Sequence, residues 1–151
     1  MRCRQRVPKQ WLIVPKSGGQ DVLQAALHLP RGSGILLLEP FAAARLRRLR
    51  RMARLRDLLI VVEEPRTAAR VHNVRELRRA ALARVPLVLL SPVHPTRSHP
   101  EWARLPRMRA AALARLGRRQ LVALGGMDAK RYAAVAPLGF IAWAGISAFR
   151  T

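Results

Sequence analysis

The stretch LVLLSPVHPTRSHP, Leu87–Pro100, decides the fold. It opens on the apolar run Leu87–Leu90, the pattern of a strand buried on both faces of a parallel sheet. The run then breaks into Ser91, Pro92, His94, Pro95, Thr96, Arg97, Ser98, His99 and Pro100. Prolines fix the backbone and remove donors, so neither helix nor strand continues through this segment. What remains is a stiff loop that holds hydroxyls, imidazoles and a guanidinium at the carboxyl end of a buried strand. In α/β folds ligands sit there. A connector whose polar groups merely face water would carry the same residues, but polar groups on rigid backbone are typical of sites.

Outward from this loop, short apolar runs alternate with helical patterns. Trp11–Val14, Ile35–Leu38 and Leu58–Val62 precede it as strands, and Leu121–Leu124 and Phe140–Trp143 follow. Asp21 is placed to start a helix. From Phe41 to Arg56 the apolar Leu46, Leu49, Met52 and Ala53 gather on one side, with arginines over much of the rest. That is an outer helix laying leucines on a sheet, although an anionic membrane or phosphate backbone would suit the same face. Thr67–Arg84 reads as helical, with Val71, Val74, Leu77 and Ala81 at helix-compatible spacing, and the alternative is a capped start at Asn73, with Glu76 three residues on. Residues 66–72 are then a loop or short turn. Another helix runs from Met108 to Leu116 and stops at Gly117, and Asp128 caps the last one. Six strands separated by helices predict an α/β protein with a mainly parallel sheet.

The 151 residues suit one domain, with residues 1–10 as a basic tail. Half the residues are hydrophobic, which argues against disorder. Cys3 is the single cysteine, so no intrachain disulfide and no cysteine-based zinc site can form. No apolar run is long enough to span a membrane, and a cytoplasmic location is expected. The net charge is +21, nearly all from arginine. It implies non-specific attraction to polyanions such as nucleic acid, yet no aromatic interleaving or nucleic-acid motif accompanies it.

Two turns carry further chemistry. Gly125-Gly126 stands between a strand and a helix, where backbone amides and the helix end can approach an anion. Gly145-Ile146-Ser147-Ala148-Phe149 forms a second small-residue turn after the last strand, an arrangement like the phosphate site of a barrel's last two strands. Glu63-Glu64 ends the third strand and offers either a hard-metal site for Mg²⁺ or a plain surface turn. Dinucleotide, P-loop and nucleophile-elbow motifs are missing. The residues thus predict a phosphate-binding α/β domain.

These segments also resemble a family. Leu89–Pro100 is similar to the sixth-strand motif of the thiamine phosphate synthase/TenI family, Val122–Met127 to its seventh-strand glycine pair, and Leu138–Phe149 to its eighth-strand ending. His72-Asn73 with Glu76-Leu77 resembles the start of the helix after its fifth strand. The resemblance implies a TIM-barrel-like (β/α) fold. It also implies a transferase that joins hydroxymethylpyrimidine diphosphate to thiazole phosphate with Mg²⁺, or a TenI-like relative without that activity. Gly125, Gly126, Ile146 and Ser147 would hold the thiazole phosphate through backbone amides. Thr96, Arg97 and His94 in the loop are the candidate catalytic residues, and Glu63 and Glu64 the candidate metal ligands.

The departures are specific. The family's Gln-Leu-Arg strand reads Leu36-Leu37-Leu38, its Asn-Asp reads Glu63-Glu64, and a serine becomes Arg70. Arg97 replaces only the charge of a missing lysine. Between Glu64 and His72 there is room for a turn, not for the fourth strand, its helix and the fifth strand. An eight-stranded barrel cannot close on six strands, because strand number, tilt and stagger are linked. The expectation is an open sheet, or one completed by a second chain in a homo-oligomer, or a degenerate product.

Overall fold

The computed structural model describes residues 7–16, 21–97, 99–118 and 120–149. Along the chain run β1 (Gln10–Val14), α1 (Val22–His28), β2 (Gly34–Leu37), α2 (Ala43–Arg56) and β3 (Leu59–Val62). They are followed by β4 (Ala68–Val71), α3 (Val74–Leu82), β5 (Leu87–Leu90) and α4 (Arg107–Leu116). β6 (Leu121–Leu124), α5 (Ala129–Val135), a 3₁₀ turn (Ala136–Leu138) and β7 (Ala142–Gly145) complete the order.

Among the described residues the strands form one seven-stranded sheet in the order β3-β2-β1-β7-β6-β5-β4. Every pairing is parallel. The α/β, TIM-barrel-like architecture expected from the sequence is present, as an open and curled sheet. The strand count differs by one. Ala68–Val71, expected within a helix or, if that helix starts at Asn73, within a loop, is a strand in register with Leu87–Leu90. Alanine and arginine have weak strand preferences of their own, and the ladder to an apolar neighbour overrides them. The last strand begins at Ala142 rather than Phe140, whose ring is instead buried with the helices.

Alternation sorts the strand residues into two layers. Trp11, Ile13, Leu36, Leu89, Val122, Leu124, Ala142 and Ala144 fill the interior, joined by Leu59 and Val61 from β3 and Ala68 from β4. Both edges of the sheet therefore line one core. Leu12, Val14, Ile35 and Leu37 face outward and pack against α1 and α2. Val71, Leu90, Leu121 and Ala123 pack outward against α3, α4 and α5. With both faces covered, the apolar runs lack polar alternation. Each fully buried leucine, such as Leu36 or Leu89, stabilises the fold by about 2 kcal/mol relative to exposure.

Helix starts follow the sequence signals. Asp21 Oδ1 accepts from Leu23 N at 3.0 Å, and Asp128 Oδ1 accepts from Arg131 N at 2.8 Å. Asn73 Oδ1 accepts from Glu76 N at 3.0 Å, while Glu76 Oε2 accepts from His72 N at 2.7 Å. No helix among the described residues is long and apolar enough to cross a membrane.

The sheet is open between β3 and β4. Residues 63–67 join these two edges directly, with Thr67 Oγ1 donating to Val62 O and accepting from Glu64 N at 3.0 Å. No helix intervenes, so consecutive parallel strands lie at opposite edges of the sheet.

Candidate phosphate-binding cleft

The carboxyl ends of the strands surround a cleft of about 650 Å³. The loop after β5 is fastened to the turn after β6: Val93 N donates to Leu124 O at 2.9 Å and His94 N to Gly125 O at 3.1 Å. Leu105 N closes the loop's far side on Pro92 O at 2.9 Å. Gly125 and Gly126 adopt φ of 97° and 56°, values that suit glycine. A second reason for glycine comes from packing. A Cβ on Gly125 would lie 2.9 Å from Pro92 Cα, and one on Gly126 would lie 2.1 Å from Pro95 O. The loop rests on this bare backbone.

Thr96, Arg97, Gly125, Gly126, Ile146 and Ser147, far apart in sequence, all line the cleft. Ile13, Leu38, Leu124 and Met127 give it an apolar floor. Ser98 lies outside the described residues. Positive charge comes from Arg70, Arg97 and Arg131, with Asp128 as the acidic member of the lining. Arg131 is held near the glycine turn, its Nη1 donating to Gly126 O and its Nε lying 3.8 Å from Asp128 Oδ2. A cationic rim over an apolar floor suits a ligand with an anionic group and an apolar or aromatic body.

Sequence reasoning did not place Arg131 or Trp102 in the site; it named Arg70 only as a departure from the family pattern, His72 only beside a helix start, and His99 only as one residue of the central loop, and all five line the cleft. Trp102 stacks on His99 with centroids 4.1 Å apart and meets His72 edge-on at 5.5 Å. His72 Nδ1 lies 2.8 Å from Ser91 O, which ties β4's end to β5's. The helical position of Arg131, three residues after its cap Asp128, is the signal that would have found it. The aromatic cluster joins two distant segments and left no local signal.

His94 stands behind the cleft rather than in its lining, with Nε2 shut away from solvent and unpartnered. Burial pushes its pKa below the usual 6.5, and Arg131 and Arg104 push the same way against a smaller opposing effect of Asp128. The folded protein therefore binds this proton less tightly than the unfolded chain does. The contribution to stability is present above about pH 6.5 and is lost as pH falls through the lowered folded value. Urea denaturation across this range is expected to show stability falling more steeply for the parent than for His94→Gln. Equal slopes would mean that His94 is solvated.

Glu63 and Glu64 lie outside the main cleft, beside a smaller one of about 450 Å³ lined also by Arg70, His72 and Trp102. Glu63 is already paired: Arg70 Nε donates to Oε1 at 2.7 Å and Nη2 to Oε2 at 3.0 Å. Its side chain is 18% exposed. Magnesium needs a near-octahedral set of oxygens, several of them water. A guanidinium seated on both oxygens puts positive charge where that ion would bind, so Glu63, paired in this way, does not fit Mg²⁺.

No protein-family model and no curated protein sequence matches this chain. Among solved structures it is similar to the thiamine phosphate pyrophosphorylase from Pyrococcus furiosus, with a TM-score of 0.73 and 16% identity over 95% of this chain and 87% of that one. At that identity the likeness speaks for the backbone alone. The chain has the fold of that pyrophosphorylase, in an open, seven-stranded form.

Proposed function

We propose that this chain is a cytoplasmic thiamine phosphate synthase-like transferase that joins a pyrimidine diphosphate to a thiazole phosphate. One observation carries the reading. The turns at Gly125-Gly126 and Ile146-Ser147 and the loop residues Thr96 and Arg97 converge on a single cleft at the strands' carboxyl ends. Backbone amides of the two turns would hold the thiazole phosphate. Thr96 and Arg97 would face the second ligand, and the cationic rim would stabilise charge developing on the departing diphosphate. Such stabilisation is largely electrostatic and needs no proton transfer from His94.

A second reading, a non-catalytic TenI-like binder of phosphorylated ligands, is favoured by Leu36–Leu38, where the resemblance calls for polar groups, and by the pairing of Glu63 with Arg70. The test is thiamine phosphate formation by purified protein given both substrates, with Mg²⁺ and separately with EDTA. Product in either arm is the expected result. Folded protein that binds the thiazole phosphate and forms no product would leave the binder. Binding of neither substrate would remove both readings.

A further inference from the structure

Arg70 is the third residue of β4 and shares its face with Ala68, which packs in the interior. It lines both the main cleft and the smaller one beside it. Its pairing with Glu63 spans the open seam, from an edge strand to the residue just after the other edge strand. Glu63 is itself fixed, because its backbone N–H continues the ladder onto Leu37 O at 2.8 Å. One edge of the guanidinium, Nε and Nη2, is occupied by this carboxylate. The planar group carries five N–H donors, so Nη1 and the outer hydrogen of Nη2 form a second fork.

Position decides what that fork can meet. β4 lies two strands from β6 and three from β7. At the usual strand spacing those are separations of about 10 and 14 Å from the two glycine-bearing turns. Pairing with Glu63 also draws the guanidinium toward the seam, away from those turns. That spacing sets Arg70 apart from a phosphate seated at Gly125-Gly126, at another part of the same cleft. We propose that Arg70, aimed by Glu63, is a second anion-binding point of the cleft, which takes a second anionic group of an elongated ligand directly, with no divalent cation. The inference rests on the phosphate-cleft reading above. It makes Glu63 a positioning residue rather than a metal ligand.

Calorimetric titration in EDTA with hexyl phosphate and 1,6-hexanediol bisphosphate tests it. The parent is expected to prefer the bisphosphate by about tenfold or more, the worth of one charge-assisted fork. Arg70→Gln should collapse that ratio to about one. Glu63→Gln, which still offers one acceptor, should give an intermediate ratio. Arg70→Lys keeps the charge but loses the fork, and should lose most of the preference; it serves if the glutamine variant does not fold. A preference that survives in a folded Arg70 variant, or that needs Mg²⁺, overturns the proposal. Hexyl phosphate binding without any bisphosphate preference also overturns it while leaving the phosphate cleft intact. Binding of neither probe sinks the cleft reading and this inference with it.

Discussion

Gly126→Asp is expected to lower affinity for hexyl phosphate at least a hundredfold and to abolish thiamine phosphate formation. Three effects act together. The residue sits at φ 56°, where a side chain costs about 1 kcal/mol. Its Cβ would meet Pro95 O at 2.1 Å, so the loop carrying Thr96 and Arg97 must lift off the turn. The new carboxylate would also stand among the amides meant for an anion. Gly126→Ala separates these causes, since it carries the clash and the strain without the charge. Titration reads the affinity, and denaturant unfolding reads a stability loss of about 2 kcal/mol in both variants. Unaltered phosphate affinity in Gly126→Asp would place the anion elsewhere.

The other large effect is structural. Gly34 opens β2 in register with Trp11, and a Cβ there would lie 2.2 Å from the indole Cε3. The ring has no room to retreat, being 1% exposed and held through Nε1 donating to Pro8 O at 2.9 Å. Gly34→Ala is expected to cost about 3 kcal/mol, the upper end for overpacking, and to lower Tm by roughly 6–12 °C. Trp11→Leu alone opens a cavity and is also costly. In the double variant the two costs should be less than additive, because the methyl group enters space the indole vacates. Strict additivity in denaturant unfolding would mean that the two residues do not compete for one volume.

Most of the architecture was legible because it is written in local patterns. Leu87–Leu90 and Leu121–Leu124 are apolar runs bounded by breakers, and both form strands with those limits. Asn73 and Asp128 announce their helices through side-chain geometry that acts within one turn. β4 was illegible for the converse reason. Ala68, Ala69 and Arg70 have little strand preference, and only the ladder to β5 makes them a strand. The loop and the glycine turns could be read as cleft residues, since a parallel sheet brings the carboxyl ends of its strands together. The pairing of Glu63 with Arg70 could not, since it depends on the sheet curling until a side chain spans its two unpaired edges.

The pairing of the first strand with the last bears on how the chain is made. β1-β2-β3 and β4-β5-β6-β7 are each assembled from neighbours in sequence, while the β1–β7 ladder joins them across the middle of the sheet. On a ribosome, β1 is synthesised before β7 and has no partner on that side until β7 has emerged. Until then an apolar strand edge near the centre of the future sheet is open to other chains. Productive folding of the nascent protein then depends on shielding that edge, by a chaperone or by transient contacts, until β7 docks.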